Sequence, residues 1–120
     1  MCYNDSMEIR SKIWIEVDGK PVFGSGKQAL FKAINKLGSI NKAAGDINVS
    51  YKKALSHIQT MEQRLGARLV ERKTGGRNGG GAKLTKKAKE FLKKYETLEK
   101  GINEILDKRF SEVFGGGKGK

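Results

Sequence analysis

The stretch from Leu69 to Thr85 constrains the fold of this chain more than any other. Leu69-Val70-Glu71-Arg72-Lys73 reads as a short strand, which breaks into Thr74-Gly75-Gly76-Arg77-Asn78-Gly79-Gly80-Gly81-Ala82 and resumes as Lys83-Leu84-Thr85. The pattern predicts a glycine-rich β-hairpin. Glycine loses the most backbone entropy on ordering and offers no side chain to pack, so such a loop builds no core. What it offers is a backbone able to approach a ligand closely, flanked by Arg72, Lys73, Arg77 and Lys83. Cations on such a loop suit a polyanion.

Upstream of this hairpin, Ile9, Ser11, Ile13, Ile15 and Val17 alternate with Arg10, Lys12, Trp14 and Glu16, the period of a half-buried strand. Asp18-Gly19-Lys20 turns it into Pro21-Val22-Phe23, with Asp-Gly as the turn signal of a second hairpin. Leu30, Ile34 and Leu37 then recur at helical spacing beside Ala29 and Ala33, and Gly38 ends this first helix. Ser39 caps a short second helix through Ile40, Ala43, Ala44 and Ile47. Ser50 caps a third, in which Ala54, Ile58, Met61 and Leu65 share a face and Gly66 closes the end.

The junction Asp46-Ile47-Asn48-Val49-Ser50 decides the topology. A helix-turn-helix needs a sharp turn with one residue at positive φ, and asparagine is among the few non-glycine types that enter that region cheaply. Ala43 and Ala44 are small enough to let the two helices cross closely. Two unrelated helices joined by a loop satisfy the same periodicity, but the hairpin that follows favours the helix-turn-helix. The expected fold is mainly α with small β-hairpins: a winged helix-turn-helix with an N-terminal hairpin and a long C-terminal helix.

That last helix begins after Thr85, a capping residue. Ala88, Phe91, Tyr95, Leu98, Ile102 and Ile105 recur at alternating three- and four-residue steps, a heptad seam. The first half, Ala88 to Tyr95, suits packing on its own domain. The second half is too long to find cover there, so Tyr95, Leu98, Ile102, Ile105 and Leu106 are the expected homodimer interface. Gly101 within it costs about 1 kcal/mol relative to alanine unless it permits close approach. The expected organisation is a disordered N-terminus over 1–7, one domain over 8–110 whose dimerisation helix occupies 85–110, and a flexible Gly/Lys tail over 111–120. Val113 and Phe114 are possible extensions of the dimer contact, and whether Trp14 and the N-terminal hairpin join it stays open.

The segments Gly38-Ser39-Ile40-Asn41-Lys42-Ala43-Ala44, Val49-Ser50-Tyr51-Lys52-Lys53-Ala54, Leu69-Val70-Glu71-Arg72 and the glycine-rich run from Thr74 to Thr85 resemble the DNA-binding domain of the ModE-type molybdate-responsive regulators. They are similar, more loosely, to the winged helix of LysR-type regulators. The resemblance runs from about Leu30 to Tyr95, and the wing after Thr74 is its specific part; the Ser-Ile-x-x-Ala-Ala pattern is shared by many bacterial regulators. Asn48 and Asn78 stand where the family tends to carry glycine. The chain also ends without the β-rich molybdate-binding domain of full-length members. The resemblance implies a sequence-specific DNA-binding transcriptional regulator without an effector domain, in which molybdate or another oxyanion is not expected to bind this chain alone.

Charge supports a nucleic-acid partner. Against 13 Asp+Glu stand 25 Lys+Arg, a net charge of +12 over 120 residues, and an excess of that size repels itself unless a polyanion compensates. A membrane is excluded as partner, because no apolar run approaches the roughly 20 residues needed to span a bilayer and Met1 to Ser6 has no apolar signal-like core. The expected location is the cytoplasm, on the nucleoid. Cys2, a lone cysteine, forms no internal disulfide or metal site.

With Ala54, Ile58, Met61 and Leu65 turned inward, the opposite face of the third helix presents Lys52, Lys53, Ser56, Gln59, Thr60 and Gln63. The N-terminal part of a recognition helix meets base edges, so Ser50, Tyr51, Lys52, Lys53, Ser56, His57 and Thr60 are the candidate readers. Ser39 and Asn41 are candidate phosphate contacts at the second helix's start, and Arg72, Lys73 and Arg77 are those of the wing. Tyr51 lies near the buried face, so packing is as good a reading as a base contact, and an exposed lone His57 is more often solvated than functional.

Two motifs argue weakly for an enzyme. Gly24-Ser25-Gly26-Lys27-Gln28-Ala29 fits a permissive dinucleotide-binding pattern, with Asp46 about 20 residues on. No parallel strand follows that helix, as such a unit requires. Gly26-Lys27 also mimics the end of a phosphate-binding loop, yet Pro21 stands where its first glycine belongs and Gln28 where its hydroxyl belongs. Its lysine reads as a solvent-facing cation. Neither a nucleophile with its base nor a pair of carboxylates suggests catalysis, and no cofactor or metal is expected. Glu96, Glu99, Glu104 and Asp107 read as a solvated helix face. A winged-helix protein-interaction module and a sequence-independent nucleoid-type DNA binder remain alternatives; operator, regulated genes and sign of regulation are beyond the sequence.

Overall fold

The computed structural model describes residues 6–73 and 81–115. Its elements are β1 (Ile15–Val17), β2 (Lys20–Phe23), α1 (Ser25–Leu37), α2 (Ile40–Asp46), α3 (Tyr51–Leu65), β3 (Val70–Lys73), β4 (Gly81–Leu84) and α4 (Lys86–Phe114). Arg77, Asn78, Cys2 and the final Gly/Lys residues from 116 lie outside the described residues. The chain forms two compact units, one comprising Ile13–Lys93, the other the residues up to Lys12 together with those from Lys94 onward. α4 is one uninterrupted helix, so no break in its periodicity marks the boundary.

In the unit 13–93, β1 and β2 form an antiparallel hairpin around Asp18 and Gly19, whose φ values of 52° and 78° are both positive. Two consecutive residues in that region match the right-handed twist of a tight hairpin. The strand expected from Ile9 to Val17 is confined to Ile15–Val17. β2 has only four residues before α1 begins at Ser25, which limits the length of the paired strands.

Local signals shape the three helices that follow. Gly38 sits at φ 70° and donates its amide to the Ile34 carbonyl at 2.8 Å, closing α1. The hydroxyls of Ser39 and Ser50 accept the amides of Lys42 (3.1 Å) and Lys53 (3.0 Å), capping α2 and α3. Asn48 stands at φ 62° in the turn between them, and the next amide, of Val49, returns to the Ala44 carbonyl at 3.0 Å. This is a helix-turn-helix. Ala43 and Ala44 are fully buried at its crossing, as their size requires. Ala54, Ile58 and Met61 are buried on α3, while Leu65 is half-buried. Phe23 joins the hairpin to the helices, its ring meeting Phe31 edge-on at 5.3 Å and Phe91 at 5.0 Å. Edge-to-face rings at such distances add to the burial of their area.

The wing is the antiparallel pair β3 and β4, in the register Val70↔Leu84, Glu71↔Lys83, Arg72↔Ala82 and Lys73↔Gly81. Val70, Ala82 and Leu84 are buried, and the charged residues between them are exposed. Thr85 ends the hairpin and starts α4: its amide donates to the Leu69 carbonyl (2.9 Å), its hydroxyl to the Arg68 carbonyl (2.9 Å), and the same oxygen accepts the Ala88 amide (3.1 Å).

In the other unit α4 continues past the expected end at 110. Gly115, at φ 64°, donates to the Ser111 carbonyl at 2.9 Å and stops the helix there, and the rings of Phe110 and Phe114, one turn apart, meet at 5.0 Å in a tilted arrangement. Residues 111–114, expected in the tail, are therefore helical. The N-terminal segment is attached to the same unit, with the Ser11 hydroxyl donating to Asn103 Oδ1 at 2.8 Å.

Candidate nucleic-acid interface

Cap geometry sets what α3 presents. With Ser50 holding the first turn and Ala54, Ile58 and Met61 inward, Lys52, Lys53, Ser56, Gln59 and Gln63 are exposed, and His57 and Thr60 are half-buried. Tyr51 is 43% exposed. Ser39 and Ser50 use their oxygens as caps yet keep a hydroxyl proton to donate, and Asn41 beside Ser39 is exposed. Arg72 and Lys73 are exposed on β3.

Charges gather on one flank of α3. The His57 imidazole is pushed below its ordinary value, first by burial and then by the cations Lys27 and Lys53. Lys27 is itself pushed down, by burial and then by Arg64. Arg64 is fixed to β2 through a hydrogen bond to the Pro21 carbonyl at 2.5 Å. Lys27 is thus a member of a positive cluster while remaining partly exposed. Thirty positions of sequence separate it from His57, and only the packing of α1 on the helix-turn-helix reveals the pairing.

A second positive region surrounds the wing base, where an open cleft of about 620 Å³ is lined by Gly38, Arg68, Glu71, Arg72, Lys73, Gly81, Ala82 and Lys83. The lone carboxylate there, Glu71, lies 3.9 Å from the Lys83 ammonium, with both side chains mostly exposed. Such a pair in water is worth little, and the lining keeps its positive balance. Arg68, absent from the sequence-derived site, follows α3 without periodicity to announce it.

Among the residues assigned to a dimer seam, Leu98 is 50% and Ile105 64% exposed, while Ile102 and Leu106 are half-buried. Tyr95 is only 2% exposed in the single chain. The accessible apolar positions start at Leu98.

Residues 27–89, from the first helix through the helix-turn-helix and wing into α4, match the bacterial regulatory helix-turn-helix proteins of the lysR family. The chain belongs to that family. Within it, the chain is 46% identical over 71 residues to the transcriptional regulator ModE of Haemophilus influenzae, covering 59% of this chain and 28% of that protein. Over 79 residues it is 43% identical to the DNA-binding transcriptional dual regulator ModE of Escherichia coli K12, covering 66% of this chain and 30% of the relative. Identity to the molybdenum transport protein ModE of Azotobacter vinelandii is 35% over 109 residues, covering 88% and 40%. The chain therefore spans less than half the length of these relatives. Among solved structures, this lysR-family fold is similar to CbnR_DBD in a complex with DNA (TM-score 0.57, 23% identity, 73% of this chain and 95% of that one). It is similar also to BenM_DBD with benA site 1 DNA (TM-score 0.53, 24% identity, 73% and 93%). At such identities the likeness is one of fold.

Proposed function

We propose that this protein is a sequence-specific, DNA-binding transcriptional regulator of the ModE-like winged-helix type, acting as a homodimer on double-stranded DNA in the bacterial cytoplasm. The observation that carries the reading is the family match over 27–89, which includes both the helix-turn-helix and the wing strands. In it α3 enters the major groove, with Ser50, Tyr51, Lys52, Lys53, Ser56, His57 and Thr60 toward the bases, a face that is polar and accessible. Ser39 and Asn41 hold phosphates at the start of α2, and Arg72, Lys73 and Arg77 do so from the wing. The second copy is held through Leu98, Ile102, Ile105 and Leu106. Selection of duplexes from genomic fragments by the pure protein tests the reading: recovery of a common sequence supports it, and equal retention of all fragments would leave a sequence-independent binder.

Molybdate and other oxyanions are proposed not to bind this chain tightly. The cationic cleft at the wing base is open to water, and an anion there keeps much of its hydration instead of exchanging it for enclosed donors. Titration calorimetry with molybdate should give no saturable heat at sub-micromolar concentration; a tight isotherm would make the wing base a sensor.

A further inference from the structure

One side chain ties the recognition helix to the wing. Glu62, in the last turn of α3, accepts through Oε2 from the amides of Leu69 (2.8 Å) and Val70 (3.1 Å). Its backbone carbonyl accepts from Gly66 (2.9 Å) and Ala67 (3.2 Å). A single residue therefore satisfies the amides on both sides of the reversal from helix to strand. Leu69 and Val70 are buried, and a buried amide left unpaired costs more than a bond contributes. A carboxylate accepting both is also the stronger kind of acceptor. On its other side Leu69 is held through its carbonyl by the Thr85 amide at 2.9 Å.

The helix itself does not require this carboxylate. Met61 and Ile58 supply the buried face of α3, whereas Glu62 is only half-buried. What the carboxylate determines is where β3 starts, and Arg72 and Lys73 follow Val70 directly on that strand. Resting on the DNA-binding reading above, we propose that Glu62 is a positioning residue for DNA recognition. It holds the wing strand at a set angle to α3, so that the wing cations and the base-facing side chains engage one duplex together. Ordering the wing before binding removes an entropy cost from the complex.

The test compares Glu62→Ala, Glu62→Gln and Glu62→Asp on a duplex selected by the wild-type protein. Gln keeps an acceptor oxygen at the same reach and should bind within about threefold of wild type. Ala should bind about tenfold more weakly or worse, with the salt slope reduced by about two, the share of Arg72 and Lys73. Its footprint should lose protection at the flank while keeping it at the centre, a pattern that general destabilisation does not produce. If the Ala variant does not fold, Asp reads the same effect, since its shorter stem cannot reach both amides. Wild-type affinity and slope in a folded Ala or Asp variant would overturn the role of Glu62 alone, as would a footprint that fades evenly with Gln no better than Ala. Absence of duplex binding by wild type at low salt would overturn the DNA reading and this role with it.

Discussion

The Ala82 amide of β4 donates to the carbonyl of Gly38, in the turn between α1 and α2, at 2.9 Å. The wing is thus anchored to the helical core at a point where the neighbouring Gly81 has little room: a Cβ placed there would lie 3.2 Å from the same Gly38 oxygen. The glycine at position 81 therefore has a packing use.

Gly81→Val should push β4 off the Gly38 carbonyl and cost about 1–3 kcal/mol of stability, the range for overpacking with a strained or lost hydrogen bond. Urea unfolding followed by circular dichroism measures it. A loss below about 0.5 kcal/mol would mean that the Gly38 turn yields without cost.

Much of this arrangement was legible because the sequence signals were local. Ser39, Ser50 and Thr85 cap as their positions require, Asp18-Gly19 makes the hairpin turn, and Asn48 enters the left-handed region in the helix-turn-helix. What escaped depends on contacts between distant residues. The alternation of Ile9 to Val17 cannot state that β2 is too short to pair with all of it. The heptad through Tyr95 cannot state that this residue is already buried. Lys27 and Arg68 gain their surroundings only when elements pack, and Glu62 reads in sequence as one more solvated helix acid.

The surroundings of His57 set the sign of a pH dependence. Its folded pKa is depressed below the ordinary 6.5, through burial and then Lys27 and Lys53. The unfolded chain therefore binds the proton more readily, and stability present above pH 6.5 is lost as pH falls through that value toward the folded pKa. His57→Gln should flatten this part of the stability profile between pH 7.5 and about 5.5. DNA phosphates near the cluster would act in the opposite direction on the imidazole, so duplex binding should take up protons in the same range in wild type and less in the variant. Identical profiles for the two proteins would remove His57 as the titrating group.

The exposed apolar positions of α4 give an oligomerisation test. On the proposed homodimer, Leu98→Lys with Ile105→Lys should yield a folded monomer by light scattering, because both side chains are at least half exposed in the single chain. Gly101 separates the roles further: a Cβ there meets nothing within 4 Å among the described residues. Gly101→Ala should stabilise a monomeric background by about 1 kcal/mol through helix propensity. If it weakens the dimer of the otherwise wild-type protein, the glycine serves close approach of a second copy; a dimer untouched by the lysine pair would locate the interface elsewhere, with the β1–β2 hairpin next to be tested.

Positioning and readout should separate within the DNA site. Arg72 is exposed on the wing strand, where a guanidinium reaches backbone phosphate more readily than a base edge in the major groove. Arg72→Ala should therefore weaken selected and random duplexes by similar factors and lower the salt slope by about one. Lys53 and Ser56 are exposed on the N-terminal half of α3, the part of a recognition helix that meets bases. Replacing either by alanine should cost about 1–3 kcal/mol on the selected duplex and much less on random DNA, narrowing the gap between them. Binding titrations at two salt concentrations on both duplexes decide the matter. If Arg72 controlled discrimination while the helix substitutions acted evenly on all sequences, the wing would be the reader and α3 the anchor.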